Sequence, residues 1–295
     1  KMNKYRFLNH PDGKLDIVDA QVTFTDKIEP GFYKAETISL GFVSTCNMYK
    51  DDSIQIPKSA YDIAREYIDI KYINTYFSPK STDLHNKLDI KQKLGLLLYG
   101  KQGTGKTTGC YAIAQELINT KGAIVVTVKD YHEYKFVIGF LEKAKAKIHD
   151  FLSITIFDEC EDEMHQREPE FKRLLDSSNS LNNHISFFTT NHVHRIPETI
   201  RDRPSRIKFS TKVGGIENEE TIFTILTFMN KPIDSEVKLS DDEIKSIVRE
   251  LRGKTLDEIK NAFIDKTFEI NFQKKVIKPE LEISKPLYID LNEIQ

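Results

Sequence analysis

The run GKQGTGKTT, Gly100 to Thr108, has the residue types and spacing of a phosphate cradle. Gly100, Gly103, Gly105, Lys106 and Thr107 fill the pattern G-x-x-x-x-G-K-[ST]. Glycines let a backbone curl until successive N–H groups point at phosphate oxygens. A helix start behind them adds unpaired N–H groups and a positive dipole end. Lys106 is placed to reach β- and γ-phosphates, and Thr107 to offer its hydroxyl to Mg²⁺. Thr104 and Thr108 belong to the same candidate nucleotide-binding run.

A second group of residues supplies what hydrolysis needs. In SITIFDECEDE an apolar strand ends on Asp158 and Glu159. Asp158 would support the metal, and Glu159 would orient or activate the attacking water. The further acids Glu161, Asp162 and Glu163 read as a helix start, where carboxylates suit the dipole. The stretch TTNH puts Thr190 and Asn191 at another strand end, in reach of the water or the γ-phosphate. Downstream, IRDRPSR offers Arg203 and Arg206, with Arg201 ranked behind them. Such arginines either neutralise charge on a transferred phosphoryl or form surface pairs with Asp202 or Glu198.

These residues need rigid supports. Leu94 to Tyr99 is an apolar run of strand length before the glycines, and Cys110 to Ile118 has helical spacing after them. Ala123–Val128, Ser153–Phe157, Ile185–Thr190 and residues 207–213 read as further strands. Phe136–Ile148 and Phe171–Leu181 read as helices between them. Strands with continuous apolar runs that alternate with helices predict an α/β parallel sheet covered on both faces. Residues 1–57 read as a β-rich N-terminal module, with strands at Val22–Phe24, Gly31–Leu40 and around 41–46. Residues 59–77 read as one helix, capped by Ser59, and 78–93 as a polar connection. After Gly214-Gly215 a small all-helical unit is expected through 267. Residues 268–295 are left without an assigned structure.

The order of these parts resembles the AAA+ ATPases. GKQGTGKT stands as Walker A, ITIFDE as Walker B, TTN as sensor 1, and IPETIRDRPSRI as the R-P-x-R segment of the AAA clade proper. The resemblance covers about residues 59–265. It implies an ATPase that uses ATP and Mg²⁺, with an α/β nucleotide-binding core and its linker helix over 58–213, and a helical lid over 214–267. It also implies a self-assembled ring, six-membered in the favoured case, in which Arg203 and Arg206 reach the neighbour's nucleotide. Two departures stand out: Lys101 and Gln102 replace the usual prolines, and no sensor 2 arginine is evident. In many such rings the loop after the second core strand grips a polypeptide through an aromatic. The matching place holds Tyr131 and Tyr134, which either line a pore or pack under the next helix.

Composition narrows the partners. Formal charge is −2 with 30% charged residues, which weighs against a dedicated nucleic-acid binder, although a neutral total can hide a local patch. A protein substrate or adaptor is therefore favoured over DNA. Cys46, Cys110 and Cys160 have neither disulfide-framework nor zinc spacing, which suits a reducing cytoplasm. His192 and His194 read as part of a polar loop. No apolar run is long enough to span a bilayer, and KMNKYRFLNH lacks a signal-peptide core.

Overall fold

The computed structural model describes residues 5–9, 15–19, 28–40, 43–147, 151–176, 181–233 and 238–276. β1 (Tyr5–Asn9) and β2 (Leu15–Asp19) pair antiparallel. β3 (Gly31–Leu40) and β4 (Val43–Lys50) form a second antiparallel pair. Helices α1 (Lys58–Arg65), α2 (Ile70–Tyr76) and α3 (Pro79–Lys87) follow. The alternating part then runs β5 (Lys93–Tyr99), α4 (Lys106–Lys121), β6 (Ile124–Val128), α5 (Tyr131–Lys147), β7 (Ser153–Phe157), α6 (Glu161–Gln166), α7 (Glu168–Leu175), β8 (His184–Thr190), α8 (Glu198–Arg201) and β9 (Phe209–Lys212). Three more helices close the described chain: α9 (Glu219–Asn230), α10 (Asp241–Val248) and α11 (Leu256–Val276).

The sheet order is β4-β3-β6-β7-β8-β5-β9, parallel throughout except for β4. Side-chain alternation divides the core between its two faces. Leu94, Leu96 and Leu98 pack with α1 and α4 on one face. Leu97, Val126 and Phe188 pack with α5 and α7 on the other. Helices α9, α10 and α11 form a third cluster, joined by Ile63 of α1. No helix among the described residues is long and apolar enough to cross a membrane.

Several expectations shift. β3 lies parallel to β6, Gly31 opposite Ile124, so the β3–β4 pair extends the core sheet, because β6 offers it an unpaired edge. The single helix expected over 59–77 is two, broken at 66–69. Asp69 caps α2 by accepting from the Tyr72 N–H at 3.0 Å, and Ile68 turns into the core. The polar connection contains α3, started by Ser78 and Pro79, an N-cap and first-turn pair that favours a helix. The helix expected to reach Leu181 ends at Leu175, where Asp176 is extended and bound to an arginine described below. α11 continues to Val276, beyond the lid end expected at 267. The strand expected at Val22–Phe24 lies outside the described residues.

One buried residue makes the fold acid-sensitive. His184 is enclosed between Ser153, Thr155 and Ser186, with Ser153 Oγ 2.8 Å from Nδ1. Burial holds its pKa well below the usual value, and Lys145 and Lys93 add to the effect. The folded state therefore keeps the ring neutral, whereas the unfolded chain protonates near pH 6.5. This contribution is complete above about pH 6.5 and is lost as pH falls below it, at up to about 1.4 kcal/mol per unit. Urea unfolding from pH 7.5 to 5 should show this loss, and His184→Gln should flatten the slope.

Candidate nucleotide site

Strand β5 delivers the chain to Gly100, where a Cβ would lie 2.1 Å from the Val213 carbonyl oxygen. Only glycine lets the loop pass there. The loop re-enters helix at Gly105, whose φ of 87° is left-handed, and α4 starts at Lys106. Thr104 is buried and donates to the Lys101 carbonyl at 2.9 Å, so it braces the loop rather than lining the cleft.

Lys106 folds back over this loop. Its ammonium donates to the carbonyls of Gly100 (3.0 Å) and Lys101 (2.9 Å) and to Asn191 Oδ1 (2.8 Å). Burial holds its pKa down, against the pull of Asp158, Glu159 and Glu161. Thr107 donates to Asp158 Oδ1 at 2.6 Å, and Thr189 donates to the same oxygen. Asn191 Nδ2 donates to Glu159 Oε1 at 2.9 Å, so its amide joins Lys106 to Glu159. Glu159 has φ +49°, rare for a residue with a Cβ, and its N–H donates to Thr189 Oγ1 at 3.0 Å.

The five side chains Lys106, Thr107, Asp158, Glu159 and Asn191 thus share one cleft, together with Gly103, Gly105 and Thr108. Its volume is about 200 Å³, below the ~300–1,000 Å³ common for small-molecule sites. Thr190 faces away and accepts from the His192 N–H. Thr189 takes the place inside, as the period of two along β8 requires. That alternation was the signal for Thr189. The α11 wall has no such local signal: Leu256, Asp257 and Lys260 of α11 close the cleft, and the Asp257 N–H donates to the Gly103 carbonyl at 3.1 Å. Tyr67, in the break between α1 and α2, donates to the Gly105 carbonyl at 3.0 Å.

A family model described as AAA, the ATPase family associated with various cellular activities, matches residues 96–214. The chain carries an AAA ATPase domain. No curated protein matches it. The glycine loop, the acid pair and the arginine segment all fall inside the matched AAA domain.

Within that AAA domain the two candidate arginines part company. Arg206 is buried, with Nε 2.8 Å and Nη2 3.0 Å from the two Asp176 oxygens, and it donates to the Thr199 carbonyl at 2.5 Å. The hydrogen bond from Arg206 holds the Asp176 carboxyl below its usual range. Arg203 is 56% exposed and only 3.5 Å from Asp176 at its closest. Arg201 pairs with Asp202 at 2.7 Å. Neither Arg203 nor Arg206 lines the cleft of its own chain. Arg206 is thus enclosed within its own chain, where it ties Asp176 to the Thr199 carbonyl.

The tyrosines resolve toward packing. Only Lys129 and Asp130 separate β6 from α5, too few to project a loop. Tyr131 is 7% and Tyr134 1% exposed; Tyr131 meets Phe171 edge-on and Tyr134 stacks on it. Both rings thus lie in the core beneath α7, the packing alternative for this position. The rings of His192 and His194 are 5.7 Å apart. No group of three or more His, Cys, Asp or Glu among the described residues could hold a metal ion.

Proposed function

We propose that the chain hydrolyses ATP in a self-assembled ring and uses the cycle to remodel a protein partner. The hydrogen-bonded set Lys106–Asn191–Glu159 beside Thr107–Asp158 supports this reading most directly. Lys106 would exchange its loop carbonyls for phosphate oxygens. Glu159, steadied by Asn191, would take the proton of the attacking water. The oxygens of Thr107 and Asp158 fit Mg²⁺, which commonly binds one or two carboxylates plus substrate phosphates. Bound there, the ion would neutralise phosphate charge. Arg203 of a neighbouring copy would complete the site, since the chain's own cleft lacks it.

In this reading the short β6–α5 junction does not thread a chain, with Tyr131 and Tyr134 packed in the core behind it. Motion would instead pass through α11, whose first turn rests on the phosphate loop, and through β3–β4, which are continuous with the core sheet. Partner choice falls to the N-terminal segment in this reading.

Lys106→Ala tests its foundation. The change removes the ammonium and leaves the glycine loop intact. Labelled ATP should bind about a hundredfold more weakly, as loss of a charge-assisted contact in an enclosed site implies. Unchanged ATP binding by equilibrium titration would sink the proposal.

A further inference from the structure

The near-neutral total hides a division of charge. Residues 69–93 and 201–212 carry ten lysines and arginines against four aspartates. These segments meet on one face. Tyr72 lies edge-on to Phe209 at 5.0 Å, Tyr76 to His85 at 5.1 Å, and the Lys208 ammonium stands over Tyr72 and Tyr76. Lys71, Lys80, Lys91, Lys208 and Lys212 of these two segments are exposed. Among the described residues no carboxylate lies within ion-pair distance of those five lysines. Leu84, Leu88 and Ile90 are each more than half exposed on the same stretch. β9 ends the strand order, so its outer edge is unpaired among the described strands.

Residues 214–270 carry the opposite excess, thirteen acids against eight bases. A groove between α1 and α9 is lined by Asp62, Glu66 and Glu220, with Arg65 beside them. Burial raises the Glu66 carboxyl, and Glu217 adds like-charge repulsion. Asp62 and Glu220 have no ion-pair partner among the described residues. The basic and acidic patches share no residue, as a head-to-tail contact requires.

We propose that the basic α2–α3–β9 face docks a second copy of this chain through that copy's acidic α1–α9 groove. The inference rests on the shared-site reading and deepens it, because Arg203 lies in the basic segment and the acidic groove adjoins the lid that walls the cleft. Unpaired charges of opposite sign steer encounter and set register, while the exposed leucines and isoleucine supply apolar contact.

The test is the particle mass of the full chain, with and without ATP, at low and high salt. Assembly should weaken about tenfold or more between ~50 and ~500 mM NaCl, as screening shortens the reach of exposed charges. Lys71→Glu with Lys208→Glu should lower assembly at least tenfold, and so should Asp62→Lys with Glu220→Lys. An equimolar mixture of the two double variants should recover assembly, since each reversed face then meets its complement. That recovery also shows both variants folded. Assembly indifferent to salt and to both reversals would overturn the proposal. So would loss of binding to a labelled oligo-dT in the Lys71→Glu/Lys208→Glu variant with assembly unchanged, which would make the face a nucleic-acid platform. Rescue measured without nucleotide stands apart from the Lys106→Ala result, so failure of the ATPase reading is recognised separately.

Discussion

Glu159→Gln should bind ATP within about threefold of the parent chain and hydrolyse it about 10²- to 10⁴-fold more slowly, the span associated with losing a general base. The geometry makes this a narrow change. Gln keeps an oxygen to accept from Asn191 Nδ2, the 2.9 Å contact that steadies the carboxylate. The backbone N–H still donates to Thr189, and Lys106, Thr107 and Asp158 are untouched. Only proton affinity is removed. The unusual backbone of Glu159, at φ +49°, costs about 1–3 kcal/mol for a residue with a Cβ, which fits a side chain aimed for chemistry. Single-turnover phosphate release set beside equilibrium ATP binding separates the outcomes. Binding and turnover falling together would reduce Glu159 to a structural role.

Arg203→Ala should cost about 10³-fold or more in turnover, the range for a guanidinium supplied in trans to a phosphoryl transfer, with little change in folding. Its side chain is 56% exposed, and its one ion pair among the described residues is the 3.5 Å contact with Asp176. Mixing decides whether it acts across subunits. An Arg203→Ala chain keeps a whole phosphate loop, while a Lys106→Ala chain keeps its arginine, so neither alone should turn over. A mixture should regain a measurable fraction, because one chain's arginine then meets the other's nucleotide. No recovery in mixed, demonstrably assembled particles would place Arg203 outside the reaction. Arg206→Ala should differ in kind. It leaves Asp176 facing an emptied buried site, so stability should drop by about 2–4 kcal/mol in urea unfolding, near or below the ~3–5 kcal/mol for a fully buried pair.

Much of this site was legible along the chain because its parts are local. A phosphate loop is a strand end, a glycine turn and a helix start within sixteen residues, and GLLLYGKQGTGKTTGC contains all three. The same holds for Asp158–Glu159 at the end of β7. Asn191 was placed by its strand, although choosing Thr190 over Thr189 missed the alternation that turns one inward and the other away. The helix breaks were partly legible. Ser78-Pro79 announces α3, yet the 66–69 break depends on Ile68 finding the core.

Sequence alone determined the parallel α/β core, the phosphate loop and the acids beside it, since periodicity and short-range chemistry set these wherever the rest of the chain goes. Tertiary structure decided which arginine is exposed, that Tyr131 and Tyr134 are buried, that α11 walls the cleft and that β3 joins β6. Each of those outcomes rests on a partner 30 or more residues away, Asp176 for Arg206, Phe171 for the tyrosines, Gly103 for Asp257 and Ile124 for Gly31. A side chain's type states what it can bond to, and only the folded chain brings one such partner near and keeps water out of the space between them.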